Sequence, residues 1–139
     1  MTATPHLPID YYGYAAPAGV TVSERYITVS DKMSLHLIDF QPEQNNDKPW
    51  LLFLPGWLSH PTGWGAFLSE ITPHYRVIYL ESREKGSSVP PMVDKVSYDV
   101  ARMLADVQEA VEQTIPAGQA WMISGSSLGS SIALEYLAA

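Results

Sequence analysis

Blocks of consecutive apolar residues alternate with longer polar stretches along this chain. Three of these blocks, 50–54, 76–80 and 121–124, carry apolar side chains at successive positions rather than at every second one. That pattern is typical of strands buried on both faces of a parallel sheet. The blocks therefore predict three parallel strands.

Two β-rich runs, 21–29 and 33–40, precede these blocks and are separated by a short polar connection at 30–32. Such a pair predicts an antiparallel hairpin. In the second run the side chains alternate between two faces, with Leu35, Leu37 and Asp39 on one and His36, Ile38 and Phe40 on the other.

Parallel strands need crossover connections, and the intervals between the blocks can supply them as helices. We predict a short helix over 64–71, a longer one over 97–115 and a last one that begins just after Gly125. The long helix has an apolar stripe at steps of three and four, Val100, Met103, Leu104, Val107 and Val111. Its polar residues, Arg102, Asp106, Glu109 and Glu112, occupy other faces.

The order of these elements predicts an α/β fold with a mixed, mostly parallel sheet that starts with an antiparallel hairpin. Residues 1–20 show neither the hydrophobic period of a strand nor that of a helix and are predicted to form an irregular arm. The domain is then residues 21–139. The last helix reaches Ala139 without a glycine, a proline or a basic final turn. We therefore expect a domain truncated after this helix.

The composition of the chain excludes several classes of function. The chain has 139 residues, 46% of them hydrophobic, and a net charge of -7. One globular domain is expected, and the negative charge makes nucleic acid a poor partner. Cysteine is absent, which excludes disulfides and thiolate nucleophiles. No signal peptide is recognisable and no apolar run approaches the roughly 20 residues of a membrane span, so we expect a cytoplasmic protein.

Gly125-Ser126-Ser127-Leu128-Gly129 follows the third apolar block directly and matches the pattern G-x-S-x-G. Small residues two positions either side of Ser127 allow a sharp turn from strand to helix that exposes the serine hydroxyl. The start of a helix also supplies free amide groups and the positive end of a dipole, which suit an oxyanion. Ser127 is thus a candidate nucleophile.

With this motif in its strand-to-helix context, the chain resembles the α/β-hydrolase superfamily over about residues 21–139. Pro55-Gly56-Trp57 is similar to the family's His-Gly-x turn. The resemblance implies that the Trp57 and Leu128 amides form the oxyanion hole. It also matches Trp64 to an aromatic residue that often opens the next helix, and 30–36 to the family's D-G-x-x-L-H segment.

The segment 81–88 resembles the family's D-x-R-G-x-G-x-S loop, in which Arg83, Gly86 and Ser88 fit. The family gives the arginine a role in bracing this loop. The chain departs from the family's usual residues at Pro55, Glu81, Glu84, Ser126 and Ser130. For the charged residues Glu81, Glu84 and Lys85, a solvated loop is the default expectation, with polar groups in a pocket as the alternative.

The resemblance implies a serine hydrolase acting on an ester, thioester or related carbonyl substrate, with His60, Trp64 and Ser126 as candidate substrate contacts. The family takes its base and acid from after the nucleophile. After Ser127 the sequence contains one carboxylate, Glu135, and no histidine. This chain alone is therefore expected to be inactive unless a complementing chain or self-association completes the site. His60 is a weaker candidate for the base. The sequence has no residues at the spacing of metal ligands, and its glycine-containing motif lacks the lysine of a P-loop. We therefore expect no cofactor.

Two other interpretations remain open. The first is a non-catalytic interaction or ligand-binding protein that retains the half-fold, which the absence of a downstream histidine favours. The second is a compact α/β domain, such as a flavodoxin-like one, that uses 125–129 to hold an anion. The predicted hairpin and the Pro55-Gly56-Trp57 turn count against the second.

Overall fold

A computed structural model describes residues 17–44, 47–92 and 95–139. Within these residues the elements are β1 (Val20–Thr28), β2 (Ser34–Pro42), β3 (Trp50–Leu54), α1 (Gly65–Ile71), β4 (Val77–Leu80), α2 (Val100–Thr114), β5 (Trp121–Gly125) and α3 (Leu128–Ala138). A 3-10 turn at Pro61–Trp64 precedes α1. Most of the predicted arm, residues 1–16, lies outside the described residues, and its boundary stays a prediction.

The strands form one mixed sheet in the order β1-β2-β4-β3-β5. β1 and β2 pair as an antiparallel hairpin, and β2 is antiparallel to β4. β3 is parallel to both β4 and β5. The predicted hairpin and the three predicted parallel strands are therefore confirmed.

Helices cover both faces of the sheet. On one face, α1 contributes Leu68 to a cluster with Phe53 and Phe40. On the other face, α2 and α3 contribute Met103 and Ile132 to a second cluster. β3 and β4 are almost wholly buried as a result, whereas Met122 of β5 is 37% exposed because β5 is the last strand of the sheet.

The helix α2 begins where the Asp99 carboxylate accepts a hydrogen bond from the Arg102 amide at 2.7 Å. Met103 and Val107 are buried, as the apolar stripe predicts, but Val100 is 47% exposed. Asp106, which the pattern assigned to a polar face, is also buried. This prediction fails because Asp106 is the counterion of a buried arginine, Arg83.

Two residues, Ser126 and Ser127, separate β5 from the helix α3, which returns across the sheet. Ile132 and Ala133 face the core, and the Tyr136 ring packs against Trp121 with 5.6 Å between ring centroids. Leu134 and Leu137 are exposed. No helix in the described part of the chain has the length and apolar character needed to cross a bilayer.

Candidate active site

Ser127 occupies the turn between β5 and α3. Its backbone has φ 52° and ψ -117°, a conformation that a residue with a side chain rarely adopts and that stores roughly 1–3 kcal/mol of strain. Hydrogen bonds hold the turn on both sides, from the Ser126 amide to the Leu54 carbonyl at 3.1 Å and from the Ser131 amide to the Ser127 carbonyl at 3.1 Å. Ser127 itself is exposed. The fold thus presents a serine on a strained turn.

The two glycines of the motif lie where no side chain fits. A Cβ added to Gly125 would lie 2.4 Å from the Gly129 carbonyl carbon. A Cβ added to Gly129 would lie 2.0 Å from the Leu54 carbonyl oxygen. These glycines therefore let the start of α3 pass directly over the ends of β5 and β3.

Gly56 brings a second segment against the serine. It lies two residues beyond β3, and a Cβ added to it would be 3.3 Å from the Ser126 carbonyl oxygen and 3.3 Å from the Ser127 Cβ. The next amide in the chain is that of Trp57. Leu128 is the first residue of α3, so its amide has no acceptor within the helix. The residues predicted for the oxyanion hole thus lie beside Ser127, although their role stays a prediction.

A groove with a volume of about 810 Å³ opens beside Ser127. Its lining residues are Trp57, Glu84, Tyr98, Val100, Met103, Ser127, Leu128 and Ser131. Aromatic and aliphatic side chains predominate, with few polar groups near the serine. Such a surface suits an apolar ligand whose reacting group is polar.

A family model for the alpha/beta hydrolase fold matches residues 49–139. The chain belongs to this family. The mixed sheet with helices on both faces agrees with the alpha/beta-hydrolase fold that the sequence motifs implied. A search of curated proteins finds no significant match.

Solved structures agree with this assignment. A membrane phospholipase A, a bacterial virulence factor, is 25% identical with a TM-score of 0.72 over 94% of this chain. A hydrolase from Pseudomonas aeruginosa PA01 is 26% identical with a TM-score of 0.65 over 84% of this chain. A putative lipase from Acinetobacter baumannii AYE is 20% identical with a TM-score of 0.71 over 98% of this chain, and shows the fold alone. The chain spans 38%, 40% and 43% of these proteins, respectively.

Arg83 braces the loop that follows β4, here called the β4 loop (residues 81–88). Its guanidinium is buried and donates to both carboxylate oxygens of Asp106, each at 2.7 Å. It also donates to Asp31 at 2.8 and 3.2 Å and to the Ser97 carbonyl at 2.7 Å. Burial opposes the charge of Arg83, but the two carboxylates outweigh it and raise the arginine pKa. The bracing role implied by the resemblance fits these contacts.

Two other charged residues of the β4 loop are buried, which corrects the expectation of a solvated loop. Glu81 is buried, and its burial raises the pKa to about 7 although the charge of Lys85 and a hydrogen bond from Ser87 oppose the rise. Burial lowers the pKa of Lys85 against the opposing charges of Glu81 and Glu84. The Lys85 ammonium donates to the Gly56 carbonyl and, at 3.0 Å, to the Ser59 carbonyl.

Of the three predicted substrate contacts, only Ser126 lies directly beside Ser127. Its amide and carbonyl hold the turn, through bonds with Leu54 and Gly129. His60 is exposed and caps the 3-10 turn, where its Nδ1 accepts from the Thr62 amide at 3.3 Å. The Trp64 ring packs on Phe53 with 4.9 Å between centroids. Neither His60 nor Trp64 lines the groove, and their binding roles stay predictions.

The described residues place no histidine in the groove. His36 is buried and pairs with Glu24 at 2.8 Å, and His74 is exposed. Among these same residues no group of three potential metal ligands occurs. Sequence reasoning missed two groove residues, Tyr98 and Ser131. Tyr98 stands two residues before α2 and Ser131 lies in the first turn of α3, and these positions near helix starts were the available signal.

Proposed function

We propose that this chain carries the nucleophile and oxyanion-binding residues of a serine hydrolase that acts on an ester, thioester or related carbonyl substrate. The observation that carries the proposal is the exposed Ser127 on its strained turn, with Gly56 packed against it. Membership of the alpha/beta-hydrolase family supports the same assignment.

In this mechanism the Ser127 Oγ attacks the substrate carbonyl carbon, and the carbonyl π electrons move to the oxygen. The Trp57 and Leu128 amides and the N-terminus of α3 stabilise the resulting oxyanion. The C–O or C–S bond to the leaving group then breaks with its electron pair going to the leaving oxygen or sulfur, which takes up the proton that Ser127 lost and departs as an alcohol or thiol. The acyl group stays on Ser127. Attack by water releases the acid and regenerates the serine.

The groove favours a substrate with an apolar acyl or alkyl part. Trp57, Met103 and Leu128 offer apolar surface next to Ser127, and Tyr98 extends it. The 25% identity to a membrane phospholipase A is compatible with such a substrate class. We therefore favour an apolar ester over a small polar one.

The proton of Ser127 needs a base, and the sequence beyond Ser127 contains no histidine. We propose that the base and its orienting acid come from residues outside this sequence, in a longer native protein or in a complementing chain. General-base assistance is worth roughly 10²–10⁴-fold in rate, so the 139-residue chain alone is expected to react slowly.

A fluorophosphonate probe tests the proposal, because its phosphorus forms a bond to an activated serine Oγ and releases fluoride. The probe is applied to this chain and to any longer native protein that contains it, and mass spectrometry locates the adduct. We expect labelling at Ser127 that Ser127→Ala abolishes and that Ser23→Ala, a change at an exposed serine of β1, preserves. No labelling of either protein would refute the nucleophile assignment.

The second candidate is a non-catalytic interaction or ligand-binding module. It is favoured by the absence of a histidine among the described groove residues and by the partly exposed edge strand β5. In that case an apolar fluorescent ester analogue binds the groove and is not turned over, and Ser127→Ala leaves its affinity unchanged.

A further inference from the structure

We propose that Lys85 is a positioning residue of the oxyanion hole, holding the Gly56 carbonyl so that the amide of the same peptide, Trp57 N–H, faces the oxyanion. The inference rests on the proposed function, since it assigns a role to the Trp57 amide. It adds a residue of the β4 loop that acts on a different segment of the chain.

The Gly56 carbonyl receives several donors at once. The Lys85 ammonium donates to it, and the Ser59 amide and hydroxyl donate to it at 3.2 and 2.7 Å. Lys85 also donates to the Ser59 carbonyl at 3.0 Å. These hydrogen bonds of Lys85 and Ser59, here called the clamp, hold Gly56 and Ser59 within the loop that follows β3 (the β3 loop, residues 55–60).

The main hydrogen-bond acceptors of Lys85 are the Gly56 and Ser59 carbonyls. Lys85 is only 7% exposed, and a buried ammonium needs acceptors for its three N–H groups. Its closest carboxylate contact is 4.0 Å, to Glu84. Because its hydrogen bonds go to the β3 loop, removing the ammonium should affect this loop first.

The outer side of the β3 loop is exposed to solvent. Trp57 and Leu58 are 65% and 73% exposed, and Leu58 has a positive φ of 56°. An exposed loop with a strained residue needs specific bonds to keep one conformation. The buried Lys85 supplies such bonds from the protein side.

The geometry of a peptide links the clamp to the oxyanion hole. The Gly56–Trp57 peptide is trans, so its carbonyl and its N–H point in opposite directions within one plane. Fixing the oxygen therefore fixes the direction of the hydrogen. The Lys85 ammonium beside the Gly56 carbonyl oxygen also polarises the peptide and strengthens the Trp57 N–H as a donor.

The experiment compares Lys85→Met, which keeps the aliphatic stem and removes the ammonium, with Lys95→Met, a matched change at an exposed lysine. Ser59→Ala, which removes one donor to Gly56 by a smaller change, covers the case in which Lys85→Met does not fold. Each variant is judged by its rate of fluorophosphonate labelling at Ser127 and by NMR of the Gly56–Trp57 peptide. Only Trp57 and Trp64 follow a glycine, so carbonyl-13C glycine with 15N tryptophan gives two peptide signals, and Gly63–Trp64 is the internal control.

We expect Lys85→Met to move the Gly56 carbonyl carbon upfield, to leave the Gly63 signal in place and to slow labelling roughly ten- to a hundredfold, as for a misplaced oxyanion donor. Ser59→Ala should act in the same direction with a smaller effect, and Lys95→Met should change neither readout. An unmoved Gly56 signal in both variants, or a moved signal with unchanged labelling, would overturn the inference. If wild-type Ser127 is never labelled, the proposed function fails and the positioning role fails with it, while the carbonyl shift still decides whether the clamp exists.

Discussion

Gly125 and Gly129 show how single residues decide the shape of this site. A Cβ added to either glycine would lie 2.4 Å or less from a backbone atom, so the chain can turn at Ser127 only because both side chains are absent. Other glycines of the chain are different. Gly86, which also matches a family motif, has no atom within 4 Å of an added Cβ.

This contrast gives a stability prediction. Gly129→Ala should lower the free energy of unfolding by about 3 kcal/mol or more, because overpacking against backbone forces a shift of β3 or α3. Gly86→Ala is the matched control and should stay within about 0.5 kcal/mol of wild type, as surface changes usually do. Urea denaturation measures both values, and equal stabilities for the two variants would show that the close approach is not rigid.

Arg83 is the second residue on which local structure depends. Its guanidinium has hydrogen-bond acceptors on Asp31, Asp106 and Ser97. Arg83→Met should cost about 3–5 kcal/mol, since it leaves Asp106 buried without its main cation. Arg83→Lys should restore little, because an ammonium cannot bond two carboxylates bidentately. Thermal unfolding compares the three proteins, and full stability of Arg83→Lys would contradict the geometric argument.

At the scale of elements, the β4 loop joins the sheet to the site. Consecutive turns, with the Lys85 amide on the Ser82 carbonyl and the Ser88 amide on the Lys85 carbonyl, each at 3.0 Å, carry it past the end of β4. The loop buries Glu81 and Lys85 together. It can do so because the charges lie near each other and hydrogen-bonding groups face them.

The loop should make stability depend on pH. Burial raises the pKa of Glu81 from 4.5 to about 7, so the folded state binds this proton more tightly than the unfolded state. The associated stability, about 3 kcal/mol, is present below pH 4.5 and is lost as the pH rises to about 7. Glu81→Gln, which does not titrate, should flatten the loss between pH 5 and 7 in denaturation experiments.

An exposed carboxylate supplies the control for this measurement. Glu135 is exposed on α3, so Glu135→Gln should keep the wild-type dependence of stability on pH. An identical slope in wild type and Glu81→Gln would mean that Glu81 titrates alike in the folded and unfolded states.

At the scale of the whole molecule, the two edges of the sheet differ. β1 carries the charged residues Glu24 and Arg25, whereas β5 reads Trp-Met-Ile-Ser-Gly without a charge. Next to β5, α3 exposes Leu134 and Leu137. An uncharged edge strand with apolar surface beside it is a template for pairing with another chain.

We therefore predict that the 139-residue chain associates as its concentration rises, seen as a growing mass in size-exclusion chromatography with light scattering. Met122→Lys places a charge on the β5 edge and should reduce the association. Thr21→Lys, on the β1 edge, should leave it unchanged. A monomer at every concentration would contradict this interpretation of the β5 edge.

The order of the elements and the motif at Ser127 were readable from the sequence because both depend on neighbouring residues. Runs of apolar residues mark buried strands, and glycines two positions from a serine allow the turn that joins β5 to α3. The hairpin and the parallel orientation of β3, β4 and β5 followed from the same local signals, whereas their order in the sheet came only from the structure. The bracing role of Arg83 came from the motif in which it stands.

Tertiary structure alone decided which polar residues are buried and what they contact. Asp106 follows Arg83 by 23 positions, and Lys85 reaches the Gly56 carbonyl 29 positions upstream, so no local period could reveal either contact. The packing of Trp64 on Phe53, away from the groove, was likewise undetermined by its spacing from the oxyanion turn. The physical reason is that burying a charge costs free energy unless specific partners meet it, and only the folded chain brings those partners together.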